Sequence, residues 1–258
     1  MQIEDLRDVK GVLADMDGVW FVGDRALPGA LETLTRLRAR KIPIRFVTNT
    51  TTTTRGEMAR RMLSMGFDVD ASEFVTTAAA AASLLRAAGI ERVRLVISPS
   101  IRGEFEGLST RPPHQAIVIG DIGRAWNYDL MSELFRQIMD GAEIVALHKG
   151  RYWQVDDGLA LDIGAFVAGL EHATGKAAAV VGKPSPAMFY SALTDLGLEA
   201  DDVVMVGDDI YNDVAGAQSA GIRGVLVKTG KYREELVAAS GVTPDLVVEE
   251  IGDLARVL

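Results

Sequence analysis

The chain has 258 residues, no cysteine, a formal net charge of −9 and a pI near 4.9. The acidic balance argues against sequence-independent binding to nucleic acid, which needs basic surface. Without cysteine there is no disulfide or thiolate chemistry, which fits a reducing, cytoplasmic setting.

The N-terminal stretch MQIEDLRDVKG is charged and lacks the apolar centre of a leader. No uninterrupted apolar run approaches the length of a membrane span, so no membrane association is expected. The first element is the run Val12-Leu13-Ala14, which ends in Asp15, Asp17 and Gly18. An apolar run without alternation suits a strand buried on both faces, as in a parallel sheet. A flap-like piece follows from Trp20 to Pro28, then a helix over 29–40 with Leu31, Leu34 and Leu37 on one face. The run over 42–47 is the next strand, ending in Thr48-Asn49-Thr50. Met58, Met62 and Met65 mark a helix that Gly66 closes. This βαβα order begins a doubly wound sheet.

The middle of the chain starts afresh, with helices near 77–88, 129–140 and 163–174. Strands are expected near 93–98, 116–120 and 144–148. That is enough material for a separate small α/β domain over 79–178, inserted into a discontinuous core formed by 1–78 and 179–258. The core pattern resumes at Val180-Val181-Gly182, followed by Lys183-Pro184 and a helix that Ser185 is placed to cap. The strand Val203–Val206 ends in Gly207-Asp208-Asp209, with Asp213 close behind. Two shorter strands are expected at 225–227 and 246–248.

Four polar clusters therefore stand at the carboxyl ends of expected strands, where open α/β sheets bind their ligands. They are Asp15/Asp17, Thr48/Asn49, Lys183 and Asp208/Asp213. Converging carboxylates repel one another, which implies a cation. An oxygen-only donor set points to a hard ion, Mg²⁺, and thereby to a phosphate-bearing substrate. Thr48 can donate a hydroxyl, and Lys183 a positive charge, to phosphate oxygens.

The order D-M-D-G, V-T-N-T, G-K-P and G-D-D-x-x-x-D resembles the four motifs of the haloacid dehalogenase superfamily of phosphohydrolases. The long insert between Thr48 and Lys183 is similar to the large α/β cap of its NagD and p-nitrophenyl phosphatase-like branch. The resemblance spans nearly the whole chain, and the four motifs together are highly specific. It implies a Rossmann-like core with a smaller inserted cap, acting on a small phosphorylated substrate. It implies that Asp15 is the nucleophile, forming an aspartyl-phosphate, and that Asp17 is the general acid and base. Asp15, Asp208 and the Asp17 backbone carbonyl would hold Mg²⁺. Asp209 and Asp213 would stand behind these ligands, unranked by the sequence. Thr48, Asn49, Thr50 and Lys183 would bind phosphate and substrate. His148 and Trp126 are candidates for specificity in the cap, with a structural role a comparable reading for His148 and packing the commoner role for an aromatic such as Trp126. Asn127, Tyr128, Tyr152 and Trp153 are weaker candidates of the same kind. Caps of this branch often carry dimer contacts, so a homodimer through the cap is among the expectations.

Other classes fit the residues less well. A receiver domain of a signalling pair uses similar groups around Mg²⁺, but in half this length and without an insert between Thr and Lys. A catalytically weak, phosphate-binding regulatory relative is the subtler rival, although every chemical group needed for turnover is present. A dehalogenase has no use for Asp17, because halide leaves without a proton.

Overall fold

The structure, a computed structural model, describes residues 6, 8–155 and 158–257, with the backbone alone described for 153–155 and 255–257. Residues 1–5, on which the reading of the N-terminus largely rests, and the Trp153 side chain lie outside the described residues. Two compact units are present. The first comprises Met1–Thr48, Arg55–Val75 and Lys183–Leu258, and the second Asn49–Thr54 and Thr76–Gly182.

In chain order the first unit starts with strand β1 (Gly11–Ala14), buried throughout. A short hairpin of β2 (Phe21–Val22) and β3 (Arg25–Ala26) forms the expected flap. Helix α1 (Ala30–Ala39) buries Leu34 and Leu37. Strand β4 (Ile44–Thr48), helix α2 (Arg55–Ser64) and strand β5 (Phe74–Thr76) follow.

The second unit contains α3 (Thr77–Ala87), β6 (Val93–Val96), β7 (Ala116–Ile119) and α4 (Tyr128–Met139). It continues through β8 (Glu143–Ala146), the antiparallel pair β9 (Tyr152–Val155) and β10 (Gly158–Leu161), α5 (Gly164–Thr174) and β11 (Ala179–Val180). Its main sheet is parallel, in the order β11-β8-β7-β6.

The chain then returns to the first unit with α6 (Pro186–Leu196) and β12 (Val203–Gly207). A π-type turn over Ile210–Ala215 runs into α7 (Gly216–Ser219). Strand β13 (Arg223–Val227), α8 (Glu234–Ser240), β14 (Leu246–Val248) and α9 (Ile251–Val257) complete it. Proline at the start of α6 and left-handed Gly197 at its end fit the expected limits, but the Ser185 hydroxyl makes no capping bond.

The six-stranded sheet has the order β14-β13-β12-β1-β4-β5. Strand β1 lies parallel between β12 and β4, with Leu13 opposite Met205 on one side and Arg45 on the other. Connections leave β1 towards β4 on one side, and β12 continues towards β13 on the other. The strand order thus reverses at β1/β12, where a doubly wound sheet opens a binding crevice. The core beside it is aromatic: buried Trp20 meets Phe46 and Phe67 edge-on, and Phe46 stacks on Phe74. Among the described residues no helix is long and apolar enough to cross a membrane.

Candidate active site

Asp15 follows β1 directly, and its backbone N–H donates to the Val206 carbonyl at 2.8 Å. The chain then turns at Gly18, which has φ +85. The Gly18 N–H closes the turn on the Phe21 carbonyl at 2.8 Å. A side chain at Gly18 would be strained, and its Cβ would strike the Asp208 carboxylate. Asp208 follows β12, the neighbour of β1, so sheet register alone brings the two carboxylates together. Gly207, the last residue of β12, gives the Asp213 side chain room to fold back, since a Cβ there would collide with it.

The resulting cluster is compact. Carboxylate oxygens of Asp15, Asp208 and Asp213 all lie within 4.8 Å of one another. Lys183, only 5 % exposed, sits among them. Its Nζ donates to Asp15 Oδ1 at 2.6 Å and to Asp213 Oδ1 at 2.7 Å. Burial alone would depress the Lys183 ammonium, but the two carboxylates outweigh it and hold the group above its ordinary range. Burial pushes Asp213 up, against the Lys183 charge. Asp208 is pushed up to about 6, by burial first, with the Lys231 N–H opposing and the Asp15 charge adding.

Asp17 behaves differently. Its side chain is 69 % exposed, and Arg61 stands 4.0 Å away. Loss of surrounding water still raises its carboxyl above the ordinary range, with Arg61 opposing and Asp15 adding. Asp17 therefore keeps its proton to higher pH while remaining reachable from solvent.

Asp209 and Asp213, which the sequence leaves unranked, separate clearly. Asp209 caps the turn over Ile210–Ala215, accepting from the Tyr211 and Asn212 backbone N–H groups and from Asn212 Nδ2. Its backbone N–H in turn donates to Asp213 Oδ2 at 3.1 Å. Asp213 is the carboxylate at the cluster, and Asp209 holds the turn that carries it.

Thr48 ends β4 half-buried, one residue before the chain passes into the second unit. Asn49 and Thr50 belong to that unit, where the Thr50 carbonyl accepts from Thr77 Oγ1 at 3.1 Å. There too, His148 Nδ1 accepts from the Gly150 N–H at 3.0 Å, and its Nε2 faces Asp162 at 3.6 Å. Burial lowers the His148 pKa, with Asp162 and Asp121 opposing. Trp126 is half-buried and stacks on Phe166, with ring centroids 4.4 Å apart. Asn127 caps α4 through the Leu130 N–H. These contacts give His148, Trp126 and Asn127 structural work inside the second unit.

The residues present fit a hard divalent cation. Asp208 Oδ1 is buried without a hydrogen-bond partner among the described residues, while Oδ2 accepts from the Lys231 N–H at 2.7 Å. Three carboxylates against one buried ammonium leave an excess of two negative charges, which a divalent ion would balance. Every donor in the cluster is an oxygen, the preference of Mg²⁺. Sequence reasoning missed two charged neighbours, Arg61 and Lys231. Both lie outside the four motifs and reach the site only through the fold.

Comparison with known proteins agrees with this geometry. Residues 12–110 match a family model described as haloacid dehalogenase-like hydrolase, and residues 180–254 one described as HAD-hydrolase-like. Haloacid dehalogenase-like hydrolase domain-containing protein 2 of Bos taurus is 43 % identical over 227 residues, 88 % of this chain and 87 % of that one. Phospholysine phosphohistidine inorganic pyrophosphate phosphatase of Danio rerio is 38 % identical over 256 residues, 96 % of this chain and 94 % of that one. The solved p-nitrophenyl phosphatase from Archaeoglobus fulgidus superposes with a TM-score of 0.89 at 30 % identity, covering 97 % of this chain and all of that one. NagD from E. coli K-12 gives 0.87 at 26 % identity, covering 95 % and 98 %. On these similarities the chain belongs to the haloacid dehalogenase-like hydrolases, within the NagD branch of phosphatases.

Proposed function

We propose that this phosphatase is Mg²⁺-dependent and hydrolyses a small phosphorylated substrate through an aspartyl-phosphate on Asp15. The observation that carries the reading is the buried Lys183 bridge between Asp15 and Asp213, set beside the orphaned Asp208 Oδ1. Lys183 orients Asp15 through its hydrogen bond to Oδ1, and one oxygen of the Asp15 carboxylate attacks phosphorus while the other is kept for the metal ion. Attack forms the Asp15 O–P bond and breaks the bond from phosphorus to the leaving oxygen. Asp17, with its raised pKa, gives that oxygen a proton. In the second half Asp17 takes a proton from water, and the water oxygen attacks phosphorus. The Asp15 O–P bond breaks, and inorganic phosphate leaves. Asp15, Asp208 and the Asp17 carbonyl would hold Mg²⁺, which when bound offsets negative charge at the phosphoryl oxygens. Thr48 and Asn49 are assigned to the phosphoryl group and the substrate, and residues 79–178 to a cap that selects the leaving group.

The relatives' names supply the classes to screen: phosphoamides and inorganic pyrophosphate from one, an aryl phosphate from the other. The test is acid quenching of the protein during turnover of labelled phosphate ester. Label should appear on the peptide containing Asp15 and be released by hydroxylamine, and Asp15→Asn should carry none. Undiminished turnover by Asp15→Asn would overturn the assignment.

A further inference from the structure

The site holds two lysines in different situations. Lys183 is buried and donates to two carboxylates, so its charge holds Asp15 and Asp213. Lys231 is exposed. Its backbone N–H is fixed on Asp208 Oδ2 at 2.7 Å. The preceding residues lock the loop onto the catalytic turn: Thr229 Oγ1 donates to the Gly18 carbonyl, and a Cβ on Gly230 would meet Gly18 Cα at 2.7 Å. The position of Lys231 is thus set by the cluster itself. No salt bridge engages its ammonium among the described residues. Partial burial depresses that ammonium, and the charges of Asp15, Asp208 and Asp213 more than reverse the effect. Its charge also acts on Asp17 and Asp209. A cavity of about 270 Å³ opens beside it, lined in part by Asp208, Asp209, Asn212, Tyr232 and Arg233.

Charge and exposure separate two sides of the site. Asp15, Lys183 and Asp213 are buried, and the transferred phosphoryl group must reach Asp15. Asp17 and Lys231 are exposed, and Asp17 marks the side from which the leaving group departs. A substrate whose leaving group carries its own negative charge would meet aspartates there; Arg61 stands against Asp17, and Lys231 is the exposed cation whose charge reaches Asp15, Asp208 and Asp213. We propose that Lys231 is a specificity-determining residue whose ammonium binds a second anionic group on the leaving side of the substrate, favouring doubly anionic substrates over phosphate esters with neutral leaving groups. The proposal rests on the assignment of Asp15 and Asp17 above.

The test uses inorganic phosphate and imidodiphosphate, the non-hydrolysable analogue of pyrophosphate, as calorimetric titrants of the Mg²⁺-loaded protein. Lys231→Met keeps the backbone N–H on Asp208 and the side-chain length, and Lys231→Arg keeps the charge. Wild type and Lys231→Arg should bind imidodiphosphate more tightly than phosphate. Lys231→Met should lose about tenfold to a hundredfold of that preference, as for a hydrogen bond to a charged group. Phosphate affinity should fall less than imidodiphosphate affinity in Lys231→Met, because phosphate lacks the second anionic group. A wild type without preference, or a preference retained in Lys231→Met, would overturn the proposal. So would equal losses on both titrants, which mark a general effect on the site. Binding needs no turnover, so failure here is distinguishable from failure of the nucleophile, which Asp15→Asn reports.

Discussion

Lys183 carries two burdens that a single substitution separates. It is almost wholly enclosed and bridges two carboxylates at 2.6 and 2.7 Å. Removing one partner of a buried ion pair leaves uncompensated charge, which typically costs about 3–5 kcal/mol. Lys183→Met should therefore lower stability by roughly that amount in urea unfolding. It should also reduce kcat/KM by about 10²–10³, the usual loss for one preorganised electrostatic group. Adding Asp213→Asn removes one of the two stranded charges. The double variant should regain a large part of the lost stability, because contacting residues are not additive, and none of the lost activity. If stability and activity return together, Lys183 acts only through the fold.

At the scale of single elements, the π-type turn over Ile210–Ala215 depends on Asp209. Its carboxylate caps the turn, and its N–H holds Asp213. Burial would raise the Asp209 pKa, but the Asn212 and Tyr211 N–H donors lower it below the ordinary value. Losing such a cap costs about 1 kcal/mol. Asp209→Ala should lose that much in thermal unfolding and Asp209→Asn clearly less, since the amide oxygen still accepts. A loss as large in Asn as in Ala would remove the capping role. A depressed carboxyl pKa contributes stability above the unfolded value of 3.8 and loses it as pH falls through the folded value. The difference between wild type and Asp209→Ala should therefore shrink only below about pH 4.

The same turn shows what could be read in the sequence. Strands β1 and β12 are apolar without interruption because both faces are covered, so their carboxyl ends are marked by the first polar residues. Asp15 and Asp208 are legible for that reason, whereas Lys183 comes after the short, partly exposed β11 and is legible only through its G-K-P motif. Asp209 and Asp213 differ only in which backbone groups the turn presents to them, and spacing does not encode that. Arg61 reaches Asp17 from α2, and Lys231 reaches Asp208 from the loop after β13. Both contacts are tertiary and leave no local pattern. Trp126 and His148 stood at suggestive positions, but a stacked Phe166 and a Gly150 N–H are partners no motif announces. Helices α8 and α9 escaped notice because they are short, with seven residues each.

For the molecule as a whole, the carboxylate cluster ties stability to pH and to the divalent ion. Burial holds Asp208 at about 6, against 3.8 when unfolded. Between those values the native state binds more protons than the unfolded state, so unfolding free energy falls as pH rises. A difference of that size between folded and unfolded carboxyl is worth about 3 kcal/mol. Asp213 is raised as well and acts in the same direction. His148 is lowered and acts oppositely, so a bare pH profile mixes signs. Subtracting the profile of Asp208→Asn isolates the contribution of Asp208. In chelator-treated protein, wild type relative to Asp208→Asn should lose stability from pH 4 to pH 7. Mg²⁺ prefers the ionised carboxylates, so its stabilisation should run the other way and grow from pH 5 to pH 7.5. At a hundredfold excess over its dissociation constant, that stabilisation is about 2.7 kcal/mol. Thermal melts at several pH values, with and without Mg²⁺, measure both trends. A Mg²⁺ shift in Asp208→Asn as large as in wild type would place the ion elsewhere. A wild-type shift independent of pH would mean that binding does not compete with protonation of these carboxylates.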